Sequence, residues 1–236
     1  MNNESAVGIR PFVKRFPGVP VALLAVTASL FSSATLSQDA TDRAGDIKLW
    51  RSQCNDADPD LRTAYVEEAI ETKGTTIKRI CVRLAMESSD DDVRNLGLRA
   101  AIAMQRELRF KVEMPPELSD ALSKARDDQG KLNDIDKTAE MRTYQIIKSG
   151  LTFGITDAEV ATDRSVWFPY GSLSTPNDNY KGPASIVGDE ITWVGNAYFA
   201  SGSVCRLTGK LDNGARLVGE LQCDSHSAFP VSARLL

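Results

Sequence analysis

Polar and apolar residues alternate with period two through residues 203–223, SVCRLTGKLDNGARLVGELQC. Cys205, Leu207, Gly209 and Leu211 fall on one side of the first half, and Arg206, Thr208 and Lys210 on the other. In the second half Leu217, Gly219, Leu221 and Cys223 share a side, opposite Arg216, Val218, Glu220 and Gln222. Alternation of this kind marks a half-buried antiparallel pair. The sequence DNG at 212–214 supplies the turn, because Asn and Gly take positive φ at low cost. Setting Leu211 opposite Leu217 brings Gly209 to Gly219, Leu207 to Leu221 and Cys205 to Cys223. That register needs a five-residue loop, or a shorter turn with a bulge. Short β-type runs continue on both sides of this hairpin: LTFGI from 151, EVAT from 159, SVWFPYG from 165, SIVG from 185, EITWVG from 190, AYFA from 197 and FPVSARLL from 229. Gly, Pro, Asn and Asp separate them, which predicts a small antiparallel β-sandwich or barrel over 151–236.

A different period runs through 58–104. DPDLRTAYVEEAI at 58 recurs as DDDVRNLGLRAAI at 90, with GTTIKRICVRLAM at 74 halfway between. In this alignment Leu61, Ile77 and Val93 coincide, as do Ala64, Ile80 and Leu96; Val66, Val82 and Leu98; and Ala69, Ala85 and Ala101. Apolar spacings of three, four and five predict three amphipathic helices of roughly 12–16 residues joined by tight turns. Asp or Thr opens each unit as a capping residue, and Pro59 stands where a helix begins. The DPDLR and DDDVR openings, with small residues at Ala64, Ala69, Ala100 and Ala101, resemble a HEAT-type helical repeat over about 50 residues. The resemblance implies a scaffold or protein-binding surface rather than chemistry. A plain bundle of capped helices accounts for the same pattern.

After Phe110 the helical pattern breaks, because Pro115 and Pro116 do not fit inside a helix. From 117 to 149 the apolar residues Leu118, Leu122, Ala125, Leu132, Ala139 and Ile146 are loosely spaced, which predicts largely solvated helical segments linking the two halves. Gln129, Asp136 and Thr143 interrupt the seam a coiled coil would need, yet a homodimer through this segment stays open. The chain is therefore expected to be α+β, an antiparallel helical-repeat bundle followed by the β domain. The expected divisions are a signal peptide at 1–37, a helical domain at 38–114, a connector at 115–150 and the β domain at 151–236.

The signal peptide rests on a basic start (Arg10, Lys14, Arg15), an apolar run from Val19 to Phe31, and small residues that allow cleavage after Ala34 or Ser37. The alternative is an inner-membrane anchor through 19–37, in which case the membrane becomes a partner. Removing 1–37 takes away those three basic residues and Glu4, leaving 25 basic against 31 acidic side chains. A mixed, moderately acidic chain argues against nucleic acid and anionic membrane surfaces as partners. The four cysteines allow three pairings. Cys54 with Cys81 and Cys205 with Cys223 keep each bond within one domain, and opposed Cys205 and Cys223 suit a cross-strand disulfide in an oxidising compartment, periplasmic or secreted. A metal site would need further soft ligands, and His226, the lone histidine, supplies one.

Candidate chemistry narrows from there. Asp56, Asp58, Asp60 and Glu67 fall at calcium-loop spacing, but Leu61 stands where that loop needs glycine, and capping explains the aspartates. No nucleophile-elbow, phosphate-loop or dinucleotide pattern occurs, so neither catalytic residues nor a cofactor nor a metal is expected. A triad around His226 would have to use its chain neighbours Asp224, Ser225 and Ser227, which rarely point at one another. Paired carboxylates for carbohydrate hydrolysis could come from Asp157, Glu159, Asp163, Asp189 and Glu190. Nine of the 16 aromatic residues lie in the last 86 positions, which makes the β domain the place to seek a ligand. Trp167, Tyr170, Tyr180, Trp193 and Tyr198 are the candidates for binding, flanking the turn-rich stretch PYGSLSTPNDNYKGP at 169–183, with core packing as the competing role. The expected function is that of an exported, non-catalytic binding or adaptor protein contacting an envelope protein or glycan. A secreted hydrolase and a purely structural envelope component are the alternatives.

Overall fold

The computed structural model describes residues 34–170, 178–224 and 226–236. The basic start and apolar run of the expected signal peptide, and 171–177 of the turn-rich stretch, lie outside the described residues. The chain divides into two units, 1–41 and 42–236. All the described strands, and every described helix but the first, lie wholly within the second. Among the described residues no helix is long and apolar enough to cross a membrane.

The order of elements is α1 (Ala34–Gln53), α2 (Pro59–Thr72), α3 (Thr75–Met86), α4 (Asp91–Ala103), β1 (Glu107–Val112), α5 (Pro116–Lys124), α6 (Gln129–Asp136), α7 (Ala139–Ile147), then β2 (Leu151–Thr156), β3 (Arg164–Tyr170), β4 (Gly182–Val187), β5 (Glu190–Asn196), β6 (Val204–Asp212), β7 (Arg216–Cys223) and β8 (Phe229–Arg234). The eight strands form a closed antiparallel barrel in sequence order, completed by β8 on β1. Closure decides for the barrel over the sandwich. It also corrects the expected domain limits: ELRFKV at 107–112, placed with the helices, is the first barrel strand, and its burial alternates exposed and buried along its whole length. The segment α5–α7 is thus an insertion between two barrel strands rather than a link between two halves. Two further expectations fail locally. EVAT at 159–162 is turn, and AYFA at 197–200 carries a 3-10 turn over Tyr198–Ala200.

The hairpin register is the one the alternation predicts, with Cys205 opposite Cys223, Leu207 opposite Leu221, Gly209 opposite Gly219 and Leu211 opposite Leu217. Asp212 faces Arg216, so the turn is 213–215, one residue later than DNG. Gly214 and Ala215 both take positive φ, at 75° and 58°. Cys205 and Cys223 are joined and wholly buried, their Cα atoms 4.1 Å apart. The second bond, Cys54 to Cys81, ties the end of α1 to the middle of α3. Each bond closes a loop worth about 3 kcal/mol of stability on a chain-entropy account, and together they indicate an oxidising compartment.

Inward-facing residues fill the barrel. Phe153 sits at its centre, 5.7 Å from Phe110, 5.7 Å from Trp167 and 4.9 Å from Trp193 between ring centroids. Both indole N–H groups are satisfied inside: Trp167 donates to Ser165 Oγ at 2.8 Å, and Trp193 to the Trp167 carbonyl at 3.2 Å. At one end, the β4–β5 turn, Asn95 of α4 donates to the Gly188 carbonyl at 3.0 Å. Val82, Met86, Leu98, Ala101 and Ile102 of α3 and α4 join the barrel core. At the other end Phe199 enters that core, the Thr143 hydroxyl of α7 donates to its carbonyl, and Tyr144 stacks on Phe229.

The aligned helical positions are buried in a graded way. Val66, Val82 and Leu98, and Ala69, Ala85 and Ala101, are buried in all three helices. Leu61 and Ala64 of α2 are exposed, Ile77 and Ile80 of α3 half-buried, and Val93 and Leu96 of α4 buried. Helix α4 is therefore the inner layer, against the barrel, and α2 the outer one. Asp58 and Asp90 cap α2 and α4 by accepting two backbone N–H bonds each.

Glycine at 219 answers to space. A Cβ there would lie 1.9 Å from the Thr208 carbonyl oxygen, whereas one on its cross-strand partner Gly209 meets only Leu217 Cβ at 3.9 Å. Chemical denaturation should therefore separate the pair: Gly219→Ala loses about 3 kcal/mol or fails to fold, through overpacking, while Gly209→Ala stays within about 1 kcal/mol of wild type.

Candidate functional site

The five aromatic candidates scatter. Trp167 and Trp193 are wholly buried, so neither offers a face to a ligand from solution. Tyr180 and Tyr198 come together edge to face at 6.3 Å, and Tyr198 packs on Phe199 at 5.3 Å, at the end of the barrel covered by α7. Tyr170 stands apart on the outer face of β3. It reaches across Gly154 of β2, and its hydroxyl donates to the Glu107 carboxylate on β1. That bond holds the Tyr170 phenol up at about 12. Burial raises the Tyr198 phenol as well.

Three of the carboxylates considered for hydrolysis are engaged by cations. Asp189 lies 3.7 Å from Arg94 and 3.6 Å from Lys210, and Glu190 lies 3.7 Å from the same Lys210. Asp163 is 4.0 Å from Arg164. These are ion pairs at the barrel surface rather than two acids facing a substrate. The Nδ1 atom of His226 is buried without a partner among the described residues, and Ser225 lies outside them. Among the described residues no group of His, Cys, Asp and Glu is placed to hold a metal ion.

What the barrel does assemble is positive charge. In β7 and β8, Arg216 and Arg234 are directly opposed, both on the outer face. On β8 and β1 the register runs through Phe110 opposite Ala233, so Arg109 and Arg234 follow as the next residues of the two strands, again both exposed. Three arginines thus stand in one row across three adjacent strands, with neighbouring strands about 4.8 Å apart. With Lys111 and Lys148 they line a surface concavity of about 590 Å³ whose lining holds a single carboxylate, Glu107. Like charges opposed across a sheet cost stability, and the row carries little compensation. Arg216 is paired with Asp212 at 2.6 Å, and that bond chiefly holds the Asp212 carboxyl below its usual range. Lys111 is paired with Glu113 at 2.7 Å, and that bond lowers Glu113 in the same way. Arg109 donates to the Ser149 carbonyl, at 3.1 Å, and Lys148 to the Gln145 side chain. The Arg234 side chain has no hydrogen-bond or ion-pair partner among the described residues. The Arg109 guanidinium passes over Gly150, where a Cβ would come to 3.0 Å from its Nε, so glycine at this junction leaves room for the side chain.

These residues escape a linear reading because four of the five cations are spread over three separate strands, and the fifth, Lys148, sits on the turn leading into β2. The one local signal is the strict alternation of ELRFKV, which places Arg109 and Lys111 on one face.

Titration provides a check on the outer face. The usual tyrosine value is 10 and Tyr170 is held near 12, so the folded state favours the protonated phenol. Its contribution to stability is fully present below about pH 10 and is lost between about 10 and 12. Tyr170→Phe should remove one late-titrating tyrosine from the phenolate absorbance curve and flatten the fall of the denaturation midpoint across that window.

No protein-family model matches the sequence, and no curated protein matches it. Among solved structures the chain is similar to wild-type fluorescent protein UnaG, with a TM-score of 0.26 and 12% identity over 56% of this chain and 96% of that one. It is also similar to the UnaG N57A mutant, with a TM-score of 0.27 and 10% identity over 56% and 95%.

Proposed function

We propose that the chain is an exported, non-catalytic binding protein of the cell envelope, in which helices and barrel act as one body and the ligand is engaged from outside the barrel. The observation that carries this reading is the contrast between the two faces of the β-sheet. The inner face is filled by Phe153, Trp167, Trp193 and the Cys205–Cys223 bond, whereas the outer face of β7, β8 and β1 holds the arginine row. A closed and filled small barrel has no room for an internal ligand, so recognition falls to its surface. Folding stability alone would favour alternating charges on that surface; a row of three arginines in which Arg216 alone has a carboxylate partner among the described residues suits a partner that supplies the opposite sign. The two disulfides and the apolar run at 19–31 support export. The partner is an envelope protein or glycan.

Sedimentation with washed cell envelopes at low ionic strength tests this. Wild-type protein should pellet with the envelopes and be released as salt rises past the range where exposed charges are screened. The double variant Arg109→Glu/Arg234→Glu should stay in the supernatant while remaining folded and fully oxidised. Wild type that never pellets, or a double variant that pellets equally well, overturns the reading.

A further inference from the structure

The arginine row narrows the chemistry of the ligand, on the footing that the outer face of the barrel is the binding face. From that row we infer that the group recognised there is phosphate-bearing, with two or more phosphates presented together on a soluble molecule or glycan. Of the five cations lining the concavity, Arg216 and Lys111 are paired with Asp212 and Glu113 at its margin, and the one carboxylate in the lining, Glu107, is engaged by the Tyr170 hydroxyl. Guanidinium groups present planar forks of donors that fit the oxygens of carboxylate and phosphate alike. Charge density separates the two: a phosphate monoester carries about −1.5 to −2 near neutrality, up to about twice what a carboxylate brings to the same space. Neutralising Arg109, Arg234 and Lys148, which lack carboxylate partners among the described residues, within about 590 Å³ calls for the denser anion.

The row is also partly organised before any ligand arrives. The Ser149 carbonyl accepts from Arg109, and the Asp212 carboxylate accepts from Arg216. Arg234 stands between them, its side chain without a partner among the described residues. Less side-chain freedom then remains to be lost on binding. The mutual repulsion of the row is relieved in the complex and is present without it. That sets a signature a purely structural row lacks: neutralising its central member should stabilise the free protein and weaken the complex at the same time.

The experiment is titration calorimetry of the full, oxidised chain with sodium tripolyphosphate, together with citrate and phosphatidylglycerol vesicles as comparison probes, and thermal melting of the same samples without ligand. Tripolyphosphate should bind, with affinity falling steeply as salt rises, and citrate should bind about tenfold more weakly or worse. Arg234→Gln should lose about tenfold or more in tripolyphosphate affinity while its melting temperature in the absence of ligand rises by about 1–3 °C. Arg206→Gln, on the outer face of β6 outside the concavity, should leave affinity unchanged. Equal binding of citrate overturns the phosphate assignment, and so does binding of the vesicles with none of tripolyphosphate. A lower melting temperature for Arg234→Gln overturns the claim that the row stores repulsion. If tripolyphosphate fails while envelopes are still pelleted through Arg109 and Arg234, the ligand class falls and the binding face stands; if both fail, both readings fall together.

Discussion

Closure of β8 on β1 is the constraint on which the rest of the molecule depends. It joins residues 110–112 to 231–233, far apart along the chain, and turns a meandering sheet into a barrel without a free edge. Once the sheet closes, every second residue must fit a narrow interior, which the Phe153, Trp167 and Trp193 cluster fills. Closure also places Arg109 beside Arg234, residues from the first and last strands that would otherwise lie on opposite edges of an open sheet. The helices gain their seat from the same event, because α4 leads directly into β1 and lies against the barrel end that β1 helps to form.

The helical layer and the barrel are packed as one core rather than as two tethered modules. Buried residues of α3 and α4 are continuous with the barrel interior, while a second cluster around Trp50, Cys54 and Cys81 binds α1 to the helices beneath it. The gradient from α2 outward to α4 inward follows from this seating. Positions equivalent in the sequence pattern meet solvent in α2, a neighbouring helix in α3, and the barrel in α4. The insertion α5–α7 stays mostly solvated in α5 and α6, with Leu118 buried in α5, while α7 covers the far end through Ile147, Tyr144 and the Thr143 hydroxyl.

Much of the fold was legible in the sequence, and the failures have physical causes. Alternation around Cys205 and Cys223 fixed the register of β6 and β7 residue by residue, because a one-residue slip would turn every side chain to the wrong face. The starts of α2 and α4 were marked by aspartate caps that do satisfy backbone donors. Strand β1 was missed because it follows a helix with no glycine or proline between them, and its partners lie far along the chain. The aromatic candidates were misleading as a group for a related reason. Alternation identifies two faces but not which one a closed barrel turns inward, and Trp167 and Trp193 lie inside while Tyr170 lies outside. The arginine row was invisible to any local reading, since proximity across three strands is a property of topology rather than of spacing.

The burial of the barrel disulfide has a consequence for how the bond can be made or broken. Exchange requires a thiolate to approach a sulfur along the bond axis, and Cys205 and Cys223 are sealed beneath the closed sheet at 0% exposure. Oxidising and reducing catalysts therefore have access only while this part of the core is open, so the covalent link is made before the native packing is complete. Once the last strand is in place, the linkage is held beyond the reach of the surrounding redox pool for as long as the native state persists.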